Sequence, residues 1–305
     1  MKKFLSGVNN DTRMNRHENA DKYFHAIMEL QGVAELKALA KRLRQFHGNK
    51  QKHFAKVTPP NYLWLAKRGG GVSTCINAFA DFLYAEKMIE FTGNAKCFEF
   101  KLAYIAPDKF FSELSRLDNE LANFAGYHRY FKGVSCINID EWIKHVHEDY
   151  FCKFLDYIVS KNDKMTTVFC VHTEDINIVK DIESALSSCM RIESMSLGFP
   201  KKEELIELIE SKYFKPQDFS LAEDAKSLLA DSIEGMIGSK YFNGFITLKQ
   251  LALDILYDLY SSNISCGEMS ADMLYRFGKE SAYMKRAKTL IAIKTMGFTT
   301  SKEEI

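Results

Sequence analysis

The chain has 305 residues, enough for one large domain or for a core domain with a smaller one. Hydrophobic residues make up 46% and charged residues 27%, which excludes a disordered or a fibrous chain. Lys and Arg number 41 against 40 Asp and Glu, a formal net charge of +1, so no global field draws the chain to nucleic acid or to an acidic membrane. No apolar run approaches the ~20 residues of a membrane-spanning helix. The opening Met1 to Gly7 lacks an apolar stretch of signal-peptide length, and the expected location is cytoplasmic. Seven cysteines stand at 75, 97, 136, 152, 170, 189 and 266, with no C-x-x-C pair. Most fall in apolar segments, so neither a disulfide framework nor a zinc site is expected.

Residues 1–19 are polar and aperiodic, which predicts a loose N-terminal arm, taken here as residues 1–27. A short helix over 20–30 ends at Gly32, and Val33 to Phe46 reads as an amphipathic helix. Tyr62 to Ala66 is apolar throughout, as buried parallel strands are. A glycine-rich loop and a helix from Ser73 to about Ile89 follow. The alternation then repeats. Cys97 to Ile105, Val134 to Ile139, Thr166 to Val171 and Arg191 to Leu197 read as strands. Pro107 to about Phe124, Trp142 to Ser160 and Ile176 to Ser188 read as the helices between them. Five strands alternating with helices imply a parallel sheet covered on both faces. After Pro200 the strands stop, and Glu203 to Tyr213, Leu221 to Ile237, Thr247 to Ser261 and Ala271 to Ile293 read as helices. The expected organisation is an α/β domain over 28–200, a helical domain over 201–262 and a helical extension over 263–305.

Ligands of doubly wound sheets bind at the carboxyl ends of strands, where a helix N-terminus offers backbone N–H groups to an anion. Lys67, Arg68, Gly69, Gly70, Gly71, Val72, Ser73 and Thr74 occupy that place after the first strand. Aligned on G-x-x-x-x-G-K-[ST], Ala66 takes the first glycine, Gly71 the second, Val72 the lysine and Ser73 the hydroxyl that would bind Mg²⁺. A plain Gly-rich turn would look the same. Val134 to Ile139, ending in Asp140 and Glu141, suits a Walker B strand. There the Asp helps hold Mg²⁺ and the Glu acts as general base on the attacking water. The alternative is a helix cap, with Asp140 as N-cap and Glu141 in the first turn.

Taken in order, these segments resemble AAA+ ATPases over roughly residues 28–262. Met28 to Lys37 forms an acidic-apolar-Gly turn leading into a helix ahead of the first strand. The glycine loop, the Asp140-Glu141 strand end, the strand Val168 to Glu174, and Arg191 ahead of Phe199-Pro200 follow in that family's order. The pattern looks closest to the CbxX-type branch. The resemblance implies a P-loop NTPase core with a five-stranded parallel sheet and a C-terminal all-helical lid. It implies ATP or ADP with Mg²⁺ as cofactors and a ring, six-membered by resemblance, built as a homo- or hetero-oligomer. Arg191 falls at an arginine-finger position, so it and Glu141 are the expected catalytic residues. Asp140 and Ser73 are the expected metal ligands, and residues 67–74 are the expected nucleotide-binding loop.

The departures are as informative. Val72 replaces the phosphate-binding lysine, Ala66 the first loop glycine, and Glu174 the usual sensor-1 Asn. No arginine stands in Asn243 to Lys249, where the sensor-2 arginine belongs. Losing one preorganised cation typically costs ~10²–10³ in rate. The leading expectation is therefore a pseudo-ATPase serving a ring as regulatory or scaffold subunit, with a protein partner and no nucleic acid. Two alternatives stay open. One is an active remodelling ATPase in which Lys67 or Arg68 replaces the lost lysine; the other is an interaction module that no longer binds nucleotide. Phe110-Phe111, Tyr127 to Lys132, the pair His145 and Asp149, and the basic stretch Met269 to Ile293 each read best as packing or solvated surface. His172 reads as a capped, buried strand-end histidine.

Overall fold

The computed structural model describes residues 11–50, 59–90, 97–100, 109–125, 133–160, 165–173, 175–237 and 242–278. Contacts divide the chain into two compact units. One comprises residues 1–67 and 71–198, the other residues 68–70 and 199–305.

In the first unit the strands are β1 (Asn61–Ala66), β2 (Cys97–Phe100), β3 (Gly133–Asn138), β4 (Met165–Val171) and β5 (Ile192–Leu197). They pair in the order β2-β3-β4-β1-β5, and every pair is parallel. Successive side chains of a strand point to opposite faces. Tyr62, Trp64 and Ala66 accordingly enter one apolar cluster, while Leu63 and Leu65 enter another. The first cluster is completed by α1 (Asp11–Glu29), α2 (Ala34–Lys50) and α3 (Val72–Ala85). The second is completed by α4 (Phe110–Ala125), α5 (Asp149–Val159) and α6 (Ile176–Cys189). Burial on both faces explains why β1 and β4 carry no polar alternation, whereas the edge strand β5 alternates Ser194 and Ser196 with Met195 and Leu197. Each large side chain so buried contributes about 1.5–3 kcal/mol.

Two expectations change here. Helix α1 is described from Asp11, inside the segment expected to be a loose arm. Ile27, fully buried, and Ala20 anchor its second half, and extending an anchored helix costs far less than nucleating one. The helix expected over 142–160 is instead a 3₁₀ turn, Asp140–His145, followed by α5. On one continuous helix Trp142 and Phe151, nine residues apart, would point about 180° away from each other. Both belong in the same core, where Trp142 stacks on Phe154 at 4.4 Å. An extended Glu148 (φ −100°, ψ 148°) resets the phase. The strand expected over 97–105 is described as far as Phe100; residues 101–108 and 126–132 lie outside the described residues.

Gly32, at φ +72°, turns the chain between α1 and α2. Its carbonyl abuts Gly198 so closely that a Cβ there would lie 2.3 Å from it.

The second unit carries α7 (Lys202–Ile209), α8 (Glu223–Ile237), α9 (Gly244–Ser261) and α10 (Ala271–Gly278) around its own apolar core. It is not purely helical. β6 (Phe219–Leu221) and β7 (Gly267–Met269) form a parallel pair, which corrects the expectation that strands end at Pro200. Phe219, Leu221 and Met269 are buried, so the pair ties two loops into the helical core. A π-helical turn, Glu210–Phe214, prolongs α7, and α8 begins two residues later than expected. The helix expected to reach Ile293 is described to Gly278.

Candidate functional site

The loop after β1 is shaped by glycine. Gly71 caps α3 in the left-handed region (φ 79°, ψ 24°), and its carbonyl accepts the Cys75 N–H at 3.0 Å. Gly69 is also left-handed, at φ +71°. L-residues with side chains rarely adopt such angles. The loop therefore delivers the chain to a helix N-terminus whose first N–H groups have no partner inside the helix. Lys67 and Arg68 at its front are exposed, and Ser73 and Thr74 are exposed in the first turn of α3. Ala66, aligned with the first motif glycine, is the buried end of β1.

Val72, the first residue of α3, is half-buried and packs against the cluster that holds Ile76 and Phe79. The position aligned with the motif lysine thus supplies apolar contact and no charge. Ser73 Oγ donates to Glu99 Oε2 at 2.8 Å. Glu99 was not singled out in the sequence. The available signal was a lone acid inside the otherwise apolar Cys97–Phe100.

Asp140 sits just beyond the carboxyl end of β3 and is tied to the end of β4. Its Oδ1 accepts the main-chain N–H of His172 at 2.7 Å, and its Oδ2 lies 2.8 Å from His172 Nδ1. Asn138 Oδ1 accepts the Asp140 N–H at 2.8 Å, a local turn that Asn favours. The Ile139 N–H reaches the Cys170 carbonyl, carrying the strand pairing to this point. Both side chains are largely enclosed, 17% exposed for Asp140 and 14% for His172. Burial alone would raise the Asp140 pKa. Hydrogen bonds from the His172 side chain and backbone, with His172's charge and Asn138, outweigh it and hold the carboxyl below its ordinary value. Asp140 is therefore an anion at neutral pH.

Glu141 follows in the same 3₁₀ turn; its side chain lies outside the described residues, and so does Glu174. Arg191 is exposed at the amino end of β5, where its carbonyl accepts the Asn61 N–H at 3.0 Å. All strands of the sheet are parallel, so Arg191 lies at the edge opposite to the loop and Asp140. The structure does not bring Arg191 to Asp140 within one chain. His145 Nδ1 lies 2.9 Å from Glu148, and among the described residues no three His, Cys, Asp or Glu side chains converge on a metal position.

Residues 68–70 belong to the second unit. There the Gly69 carbonyl accepts the Phe245 N–H at 3.0 Å, at the start of α9. Gly244 is left-handed at φ +55°, and a Cβ on it would lie 2.1 Å from the Gly69 oxygen. Two glycines therefore make backbone-to-backbone contact at the start of α9.

The donor chemistry fits a hard cation in part. A carboxylate and a hydroxyl are the oxygen ligands Mg²⁺ takes alongside nucleotide phosphates and water. A glycine loop entering a helix N-terminus fits a phosphate. The side-chain cation that usually completes such a site is missing at position 72.

No protein-family model matches the chain, and no curated protein matches it. Among solved structures, PCH-2 of C. elegans is similar with a TM-score of 0.53 and 9% identity, covering 88% of this chain and 73% of that one. Hsp104 in a closed state with ATPγS and FITC casein matches with a TM-score of 0.47 and 12% identity, covering 92% of this chain and 49% of that one. The likeness to PCH-2 supports an AAA+ fold, carried here on a parallel sheet flanked by helices. Among the described residues no helix is long and apolar enough to cross a membrane.

Proposed function

We propose that this chain is an AAA+-like nucleotide-binding protein whose turnover is impaired, acting as a regulatory or scaffold subunit of a ring. The observation that carries this reading is the contrast between Val72 and Asp140. Val72 turns a phosphate-binding position into core packing, while Asp140 stays ionised and held at the strand end. A retained anion suits a metal, and a lost cation penalises turnover.

The loop N–H groups at the start of α3 would bind the phosphates, and Ser73 with Asp140 would hold Mg²⁺. A bound Mg²⁺ supplies charge neutralisation at the phosphate oxygens. Phosphoryl transfer depends almost wholly on positioning and electrostatics, so one missing preorganised cation slows it by ~10²–10³. Ground-state binding uses the same loop and loses less. Nucleotide would thus be held more readily than it is turned over. Arg191, at the far edge of its own sheet, can serve only a neighbouring subunit's site, which suits a ring.

One observation favours an active enzyme as the second reading: Lys67 and Arg68 are exposed at the front of the loop. Measuring native mass with and without Mg-ATP, alongside phosphate release on the same sample, separates the readings. A nucleotide-dependent assembly without release is the expected result. Release at about 1 s⁻¹ or faster, the ordinary range for enzymes, would make the chain a working ATPase. A mass indifferent to nucleotide would contradict the nucleotide-gated scaffold.

A further inference from the structure

Asp140 and His172 are 32 residues apart in sequence and meet only because β3 and β4 are neighbours. The contact is unusually complete. One residue supplies two donors, its main-chain N–H to Oδ1 and its imidazole to Oδ2. An ionised carboxylate only accepts hydrogen bonds, so His172 Nδ1 carries the proton in this arrangement. A carboxylate bonded through one oxygen can swing about its terminal torsion; one bonded through both cannot. Asn138 fixes the backbone of the same residue by accepting its N–H. The side chain and main chain of Asp140 are thus both immobilised. A carboxylate offers about four acceptor sites, and these two bonds together with the Asn138 side chain leave at least one for a cation.

We propose that His172 is a positioning residue for Asp140, clamping both carboxylate oxygens so that the remaining lone pairs are preorganised for a divalent cation. This inference rests on the nucleotide reading above, since it assigns Asp140 a cation to hold. It follows the general behaviour of ligating carboxylates, whose orientation depends on outer hydrogen-bond partners. Removing such a partner typically costs 10–100-fold in metal affinity.

The test compares two amide replacements. His172→Asn places its side-chain N–H₂ close to where Nδ1 stood; His172→Gln carries the same amide one methylene further out. The main-chain N–H of residue 172 survives in both. The readout is ATP binding followed as Mg²⁺ is titrated, together with ATP binding in EDTA. Expected is a half-saturating Mg²⁺ concentration raised about tenfold in His172→Gln, at the low end of that range because one of the two donors persists. His172→Asn should stay within about threefold of the wild type, and binding in EDTA should be equal in all three. A shift of the same size in both variants, or one that also appears in EDTA, would overturn the positioning role. So would unchanged Mg²⁺ dependence in both variants while the wild type binds Mg-ATP. If the wild type binds no nucleotide under any condition, the nucleotide reading falls and this inference with it.

Discussion

Replacing Val72 by lysine restores the one charge whose loss the account blames for impaired turnover. The cost in stability is set by packing. Complete burial of a valine side chain is worth about 1.5–3 kcal/mol, and Val72 is half-buried. About 1 kcal/mol is therefore at risk. The lysine stem can cover much of the same apolar surface while its ammonium stays in water. For a unit of this size a loss of 1 kcal/mol lowers the melting temperature by roughly 2–4 °C. The gain is larger. A preorganised donor at developing charge is worth ~10²–10³ in rate, or about 2.7–4 kcal/mol of barrier. Phosphate release at saturating Mg-ATP should thus rise by at least ~10² in Val72→Lys. A thermal melt on the same sample should fall by no more than about 4 °C. An unchanged rate with the melt inside that window would refute the reasoning, because the protein would then be folded, charged at position 72 and still inactive.

Other outcomes follow from single contacts. Gly198→Ala should destabilise the first unit by about 1–3 kcal/mol by overpacking, since its Cβ would sit 2.3 Å from the Gly32 carbonyl oxygen; urea unfolding measures it, and a neutral result would mean that turn yields freely. Gly69→Ala meets the Asn243 oxygen at 2.2 Å and also a left-handed backbone, so it should cost more than Gly198→Ala, where no positive φ adds ~1–2 kcal/mol. The Asp140 carboxyl is held below its ordinary value of 3.8, so its contribution to stability is fully present above that value. That contribution is lost as pH falls through the depressed folded pKa. The stability gap between wild type and Asp140→Asn, from denaturant curves, should accordingly shrink as the pH falls below about 4. A gap that widens below about pH 4 would mean Asp140 is not held as an ionised carboxylate.

The parts of this fold that were legible in the sequence are those set by local pattern. Strands buried on both faces read as short apolar runs, and their alternation with helices gave the parallel sheet. The strand-end position of Asp140 followed from the same runs. Patterns broken by tertiary demand were not legible. The segment after Asp140 has enough apolar residues for one long helix, yet Trp142 and Phe151 share a face only if the helix breaks at Glu148. Strands β6 and β7 are three residues each and far apart in the chain, so nothing local marks them. The site shows the same division. The glycine loop can be read from spacing, whereas the Ser73–Glu99 bond and the Asp140–His172 clamp depend on which strands lie side by side. An acid in β2 and a histidine ending β4 were visible as residues. Their partners were not.

The most direct measurement is a calorimetric titration of Mg-ATP into the purified chain, with Asp140→Ala as control and phosphate release followed on the same sample. The account expects saturable binding with a Kd of about 1 mM or tighter. It also expects affinity weakened about tenfold or more in the control when Mg²⁺ is present, and release far below about 1 s⁻¹. No heat of binding at millimolar Mg-ATP would contradict it and leave an AAA+ fold kept for its contacts alone.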